Sequence, residues 1–87
     1  MDRDAIINKV LHIVAEEFNI TPESIQTNKY SYKIYIDDIR AVTAQLLKHA
    51  GIDNMTISFV LRCYLKTVDK LLDIHLELDD LKKKLNN

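Results

Sequence analysis

Hydrophobic residues recur along this chain at the three- and four-residue spacing of helices that bury one face. In the first segment Ile7, Val10, Leu11, Val14 and Phe18 fall on one side, while Lys9, Glu16 and Glu17 fall outside it. Asp2 or Asp4 is placed to accept hydrogen bonds from amides that lack partners at the helix start, and the helix is expected to end near Asn19. Thr21-Pro22-Glu23-Ser24 then marks a restart, because threonine caps well and proline at the first helical position loses no hydrogen bond. Ile20 and Ile25 flank it as anchors. A third helix spans Ile36 to Ala50, with Ile36, Ile39, Thr43, Leu46, Leu47 and Ala50 as its buried face. Its acids, Asp37 and Asp38, lie in the first turn, and Lys48 and His49 lie in the last, as the helix dipole favours. Gly51 supplies a left-handed terminator, with Ile52 covering the end.

After Gly51 the chain has neither glycine nor proline, and Asp53 or Asn54 caps the next helix. Ile57, Val60, Leu61, Tyr64, Val68, Leu71, Ile74, Leu78, Leu81 and Leu85 trace one stripe. In heptad terms Ile57, Tyr64, Leu71, Leu78 and Leu85 occupy a, and Val60, Thr67, Ile74 and Leu81 occupy d. Two structures satisfy this pattern. One is a single long helix, whose seam Leu71, Ile74, Leu78, Leu81 and Leu85 would join two copies in a dimer. The other is a pair of helices meeting at a tight corner near Arg62–Tyr64. On the outer face Asp79–Lys83 and Asp80–Lys84 are spaced as ion pairs.

Strand-like alternation is confined to Lys29–Ile36, so the expected class is all-α: four or five helices with a long C-terminal one, and no sheet. The expected core contains Ile7, Val14, Phe18, Ile39, Leu46, Leu47, Ile57, Leu61 and Val68. Eighty-seven residues allow one domain, read as a core over 1–70 and a helical extension over 71–87. No apolar run approaches a membrane span and no signal-peptide pattern follows the N-terminus, so a cytoplasmic protein is expected. Cys63, the sole cysteine, sits in an apolar stretch without a histidine at telling spacing. His12 lies off the apolar stripe and His49 is accounted for by helix-end electrostatics. No phosphate-cradling glycine loop, metal motif or catalytic constellation is present, and adjacent Asp37 and Asp38 diverge on a helix. The sequence therefore implies no enzyme, no small-molecule substrate, no cofactor and no metal.

The segment Gln26–Tyr35, reading QTNKYSYKIY, has two lysines, three tyrosines and no acid. Such a loop can contact phosphates and bases, though tyrosine packing on the helices beside solvated lysines is the commoner use of this composition. The order of helices around it resembles the C-terminal DNA-binding domain of the bacterial replication initiator DnaA, a helix-turn-helix fold. The likeness covers about Ile7 to Leu72. It is carried by Phe18-Asn19-Ile20-Thr21-Pro22-Glu23-Ser24-Ile25, by Ile39-Arg40-Ala41-Val42-Thr43-Ala44-Gln45-Leu46-Leu47-Lys48, by the supporting segment Asn54–Leu61, and by Thr67-Val68. The resemblance implies that Lys29 and Lys33 enter the minor groove, Arg40 contacts backbone phosphate, and Lys66, Thr67 and Lys70 face the major groove, with Arg62 beside them. Where the family's corner reads Gly-Gly-Arg-Asp-His-Thr-Thr-Val, this chain reads Leu-Arg-Cys-Tyr-Leu-Lys-Thr-Val from Leu61 to Val68. The glycines and most base-reading residues are replaced, and Asp69 and Asp73 place repulsive charge on the same helix.

Two functions follow as expectations. The first is a DnaA-like module that binds duplex DNA with weak or altered specificity. The second is a helical interaction or dimerisation module without DNA binding. Net charge bears on the choice: at −1, with a pI near 6.3, binding to DNA requires a locally basic face.

Overall fold

The computed structural model describes residues 2–27 and 36–86, with side chains left out at 27, 36 and 37. Over these residues the chain is all-α, with no strand and six helices. They are α1 (Arg3–Phe18), α2 (Pro22–Thr27), α3 (Ile36–His49), α4 (Asn54–Leu61), α5 (Leu65–Asp73) and α6 (Asp79–Asn86). Lys29 and Lys33, the tyrosines at 30, 32 and 35, and the strand-like run lie outside the described residues, as do the side chains of Ile36 and Asp37.

Local signals explain several helix ends. Asp2 caps α1, its carboxylate accepting from the Ala5 amide at 2.8 Å. Thr21 caps α2, its Oγ1 accepting from the Ser24 amide at 3.2 Å. Three helices close in one way. Asn19, Gly51 and Arg62 are left-handed, with φ of 56°, 96° and 53°. The next amide in each case (Ile20, Ile52, Cys63) donates five residues back, to the carbonyls of Ala15, Leu47 and Ser58, at 2.9–3.0 Å. This is the six-to-one bond that satisfies the last orphan carbonyls of a helix, with an apolar residue folded over the end. Only one of the three terminators is glycine.

The core is assembled on α3, which packs against α1, α4, α5 and α6. Ile39, Ala41, Val42, Thr43, Ala44, Leu46 and Leu47 are all buried, so α3 is covered nearly all round rather than along one stripe. The alanines were not among the residues read as its apolar face. Their small side chains let neighbouring helices approach, and Thr43 is accommodated because its hydroxyl donates to the Ile39 carbonyl at 2.8 Å. On α1 the buried centre is Val10, Leu11, Val14 and Ala15, while Ile7 and Phe18, expected in the core, are half-buried at its margins.

The C-terminal third departs from the single-helix alternative. It breaks twice, at Arg62–Tyr64 and again at Ile74–Leu78, so the long C-terminal helix is replaced by three short ones. Residues 74–78 alternate: Ile74, Leu76 and Leu78 pack inward, and His75 and Glu77 face solvent. That is the two-residue period of extended chain, which the heptad pattern overran. The side-chain amide of Gln45 on α3 fills the break, donating to the carbonyls of Leu71 at 3.0 Å and Ile74 at 2.6 Å. Beyond it α6 folds back onto α1 and α3. Lys84 turns to Glu17 of α1 at 3.7 Å rather than to Asp80. Of the extension read over 71–87, Leu71, Leu78, Leu81 and Leu85 belong to the same buried cluster as the helices before it.

Candidate nucleic-acid interface

Two helices and a three-residue corner form the candidate site. Helix α4 ends at Leu61, Arg62-Cys63-Tyr64 turns the chain, and α5 begins at Leu65. The corner closes without glycine because Arg62 itself takes the left-handed conformation, at a steric cost of about 1–2 kcal/mol. Two things offset that strain. The Cys63 amide donates to the Ser58 carbonyl at 3.0 Å. From α3, the Arg40 guanidinium donates through Nη2 to the Leu61 carbonyl at 2.8 Å, so a long-range bond ties off the last turn of α4.

That bond changes the reading of Arg40. It is half-buried and committed to the corner, where the resemblance implied a phosphate contact. Among the described residues its Nε is buried and has no hydrogen-bond partner, a desolvation cost carried by this side chain. Replacing Arg40 with Met keeps the aliphatic stem and deletes the donor. We expect a loss of about 1–3 kcal/mol in chemical denaturation, the range for a partly buried bond from a charged donor. A change below a few tenths would show that this bond does not hold the corner.

Helix α5 turns Val68 and Leu71 into the core and leaves Leu65, Lys66, Asp69, Lys70 and Asp73 exposed. Lys66 and Lys70 are one turn apart on that outer surface, and Thr67 is half-buried beside them. Arg62 is exposed at the corner that precedes them. The structure therefore brings Arg62, Lys66 and Lys70 onto the outer surface of one unit, while the half-buried Arg40 is bonded to the Leu61 carbonyl at its corner. Asp69, expected to repel phosphate, is partnered: the Asn54 amide donates to it at 3.4 Å, and Lys48 donates to the Asn54 carbonyl oxygen at 2.8 Å. At the start of α4 Asp53 has extended backbone geometry but closes no side-chain cap bond. The hydroxyl and amide of nearby Thr56 still draw its carboxyl below the usual carboxylate range, an electrostatic approach rather than a formed cap.

Sequence reading missed an exposed apolar cluster here. Tyr64, placed on the buried stripe, is 84% exposed, and Phe59 is 75% exposed. Met55 and Leu65 are also exposed, and Cys63 is half-buried rather than sealed in the core. Ser58, Phe59, Arg62, Cys63 and Tyr64 together line a shallow concavity. The signal lay in the stripe itself: once α4 stops at Leu61, the register that would bury Tyr64 no longer applies.

The dimer seam is used differently from its expectation. Leu71, Leu78, Leu81 and Leu85 are buried within one chain, and Ile74 packs beside them. A seam between copies would need these side chains on a common outer face, and they are divided between α5, the extended link and α6. Among the described residues no helix is long and apolar enough to cross a membrane. Comparison with known proteins finds no family model, no curated protein and no solved structure that matches the chain.

Proposed function

We propose that this chain is a divergent helix-turn-helix module, similar to the DnaA C-terminal domain, that binds duplex DNA with weak or altered sequence preference. The observation that carries this reading is the corner: α4 and α5 are joined by three residues, with the inner face of α5 locked by Val68 and Leu71 and its outer face bearing Lys66 and Lys70. The nine residues of α5 extend about 13 Å, a length suited to a major groove about 12 Å wide. In this pose Lys66 meets the groove near the helix start, where recognition helices make most base contacts. Lys70 and Arg62 meet the backbone, and Lys29 and Lys33 are the proposed minor-groove contacts.

Charge supports weak binding. The outer face of α5 carries two lysines and two aspartates, so its net attraction for phosphate is small. The module is proposed to act as a monomer in the cytoplasm, because the leucines of the alternative dimer seam are occupied in its own core.

Titration of a labelled 20-base-pair duplex at several salt concentrations tests the reading. Affinity should fall steeply with salt, since each neutralised phosphate releases counterions. Replacing Lys66 and Lys70 together with Ala should flatten the logarithmic salt slope by about 1–2 units. Absence of saturable binding at low salt would remove DNA as the ligand.

A further inference from the structure

We infer that the corner between α4 and α5 is a binding site for single-stranded DNA, in which Phe59 and Tyr64 stack on unpaired bases and Arg62 contacts the phosphate between them. The inference shares with the duplex reading the ligand class and Arg62, and otherwise rests on different residues, Phe59 and Tyr64.

Three observations carry it. First, the two aromatic rings are the most exposed large hydrophobic side chains among the described residues and line the same shallow concavity as Arg62. Exposing an aromatic ring forfeits the burial that ordinarily drives it inward. Second, the charge at the concavity itself is cationic: Arg62 is the one charged residue that lines it, and the run Asn54–Val68, bounded by Asp53 and Asp69, adds only Lys66. A cationic and aromatic surface is the combination that holds single strands, because every base has a π-face and every linkage a negative charge. Third, the size suits a nucleotide. A stable protein partner covers about 800 Å² on each side through some 20–30 residues. Here the concavity has five lining residues, and beyond Leu65 the surface passes at once to the charged face of α5. The opening is shallow, which suits a flat base more than an inserted helix side chain. Arg62 also has a fixed backbone, since the Schellman closure and the Arg40 bond hold the corner, so its charge is presented from a rigid turn.

The test is fluorescence anisotropy of the full chain against a labelled oligothymidylate of twelve residues and an abasic strand of equal length, at low salt. Saturable binding of the thymidylate, with the abasic strand bound far more weakly, is the expected result. Tyr64→Ala and Phe59→Ala should each weaken the thymidylate about 5- to 150-fold, the fold-change that corresponds to one stacked base. Tyr64→Phe should restore binding, since it keeps the ring. Both positions are exposed, so thermal unfolding of each alanine variant should match the parent; this separates lost contact from lost fold. Equal binding of the two strands, or unchanged affinity in both alanine variants, would overturn the inference. The Lys66→Ala/Lys70→Ala variant distinguishes the two readings. If it loses duplex and keeps the thymidylate, each ligand has its own surface. If the parent binds no duplex yet binds thymidylate through Tyr64, the duplex reading fails and the single-strand site stands.

Discussion

Replacing Leu78 and Leu81 together with Ala is expected to destabilise the protein severely while leaving its stoichiometry unchanged. Both residues are buried, at 5% and 8% exposure, one at the end of the extended link and one in the first turns of α6. They lie where α6 packs on α1 and α3. A buried leucine cut to alanine costs about 2–5 kcal/mol, and positions near the surface fall toward the lower end because solvent and side chains partly refill the space. The pair should therefore cost roughly 4–6 kcal/mol, with some coupling because the two sites are neighbours. A domain of this size holds about 4–13 kcal/mol in total, so between roughly a third and all of the margin would be consumed. Thermal unfolding should shift down by roughly 15–50 °C. The same leucines were read as a dimer seam, and that reading makes the opposite prediction. A parent that sediments as a dimer, with the variant a folded monomer, would show that the seam joins two chains.

Leu46→Ala should cost about 3–5 kcal/mol, the upper part of the range for a core leucine. Leu46 is fully buried on α3, and α3 is contacted by four other helices. A cavity there is walled by several rigid elements and has little freedom to collapse, which is the condition under which truncation costs most. Neighbouring Leu47 and Thr43 are also fully buried, so no solvent-facing group can swing in to refill the space. Leu46→Met, which nearly conserves volume, should cost less than about 1.5 kcal/mol. Denaturant titration compares the three proteins through their midpoints at constant slope. A loss of only a few tenths for the alanine variant would mean that α3 does not present Leu46 to the core.

Much of the fold was legible where the information is local. Asp2, Thr21 with Pro22, and Gly51 announce helix ends because a cap acts on amides and carbonyls within a few residues of itself. Val10, Leu11 and Val14 of α1 and the core residues Ile39, Leu46, Leu47, Ile57, Leu61 and Val68 follow from helical spacing alone. The second break was also written in the chain, as the alternation of Ile74, Leu76 and Leu78 with His75 and Glu77. A heptad frame fitted the same leucines and concealed it. Periods of 3.5 and 2 both place an apolar residue at 74 and 78.

The site was less legible, since what defines it comes from distant parts of the chain. Arg40 looks like any exposed cation on a helix until its partner, the Leu61 carbonyl 21 residues away, is brought beside it. Gln45 carries no terminating signal, yet it caps α5 across 26 and 29 residues. Arg62 has little intrinsic preference for the left-handed region, and it adopts it because bonds from Cys63 and Arg40 close around the turn. That turn then decides that Tyr64 faces solvent. By itself, the sequence determined the all-α class, the starts of the first four helices and the identity of most core residues, because helix spacing and caps act over one or two turns. Only the tertiary structure decided where the long stripe bends, which cation is structural and whether the leucines face a second copy or their own domain. An apolar stripe records that a surface must be covered, and what covers it depends on the packing of the whole chain.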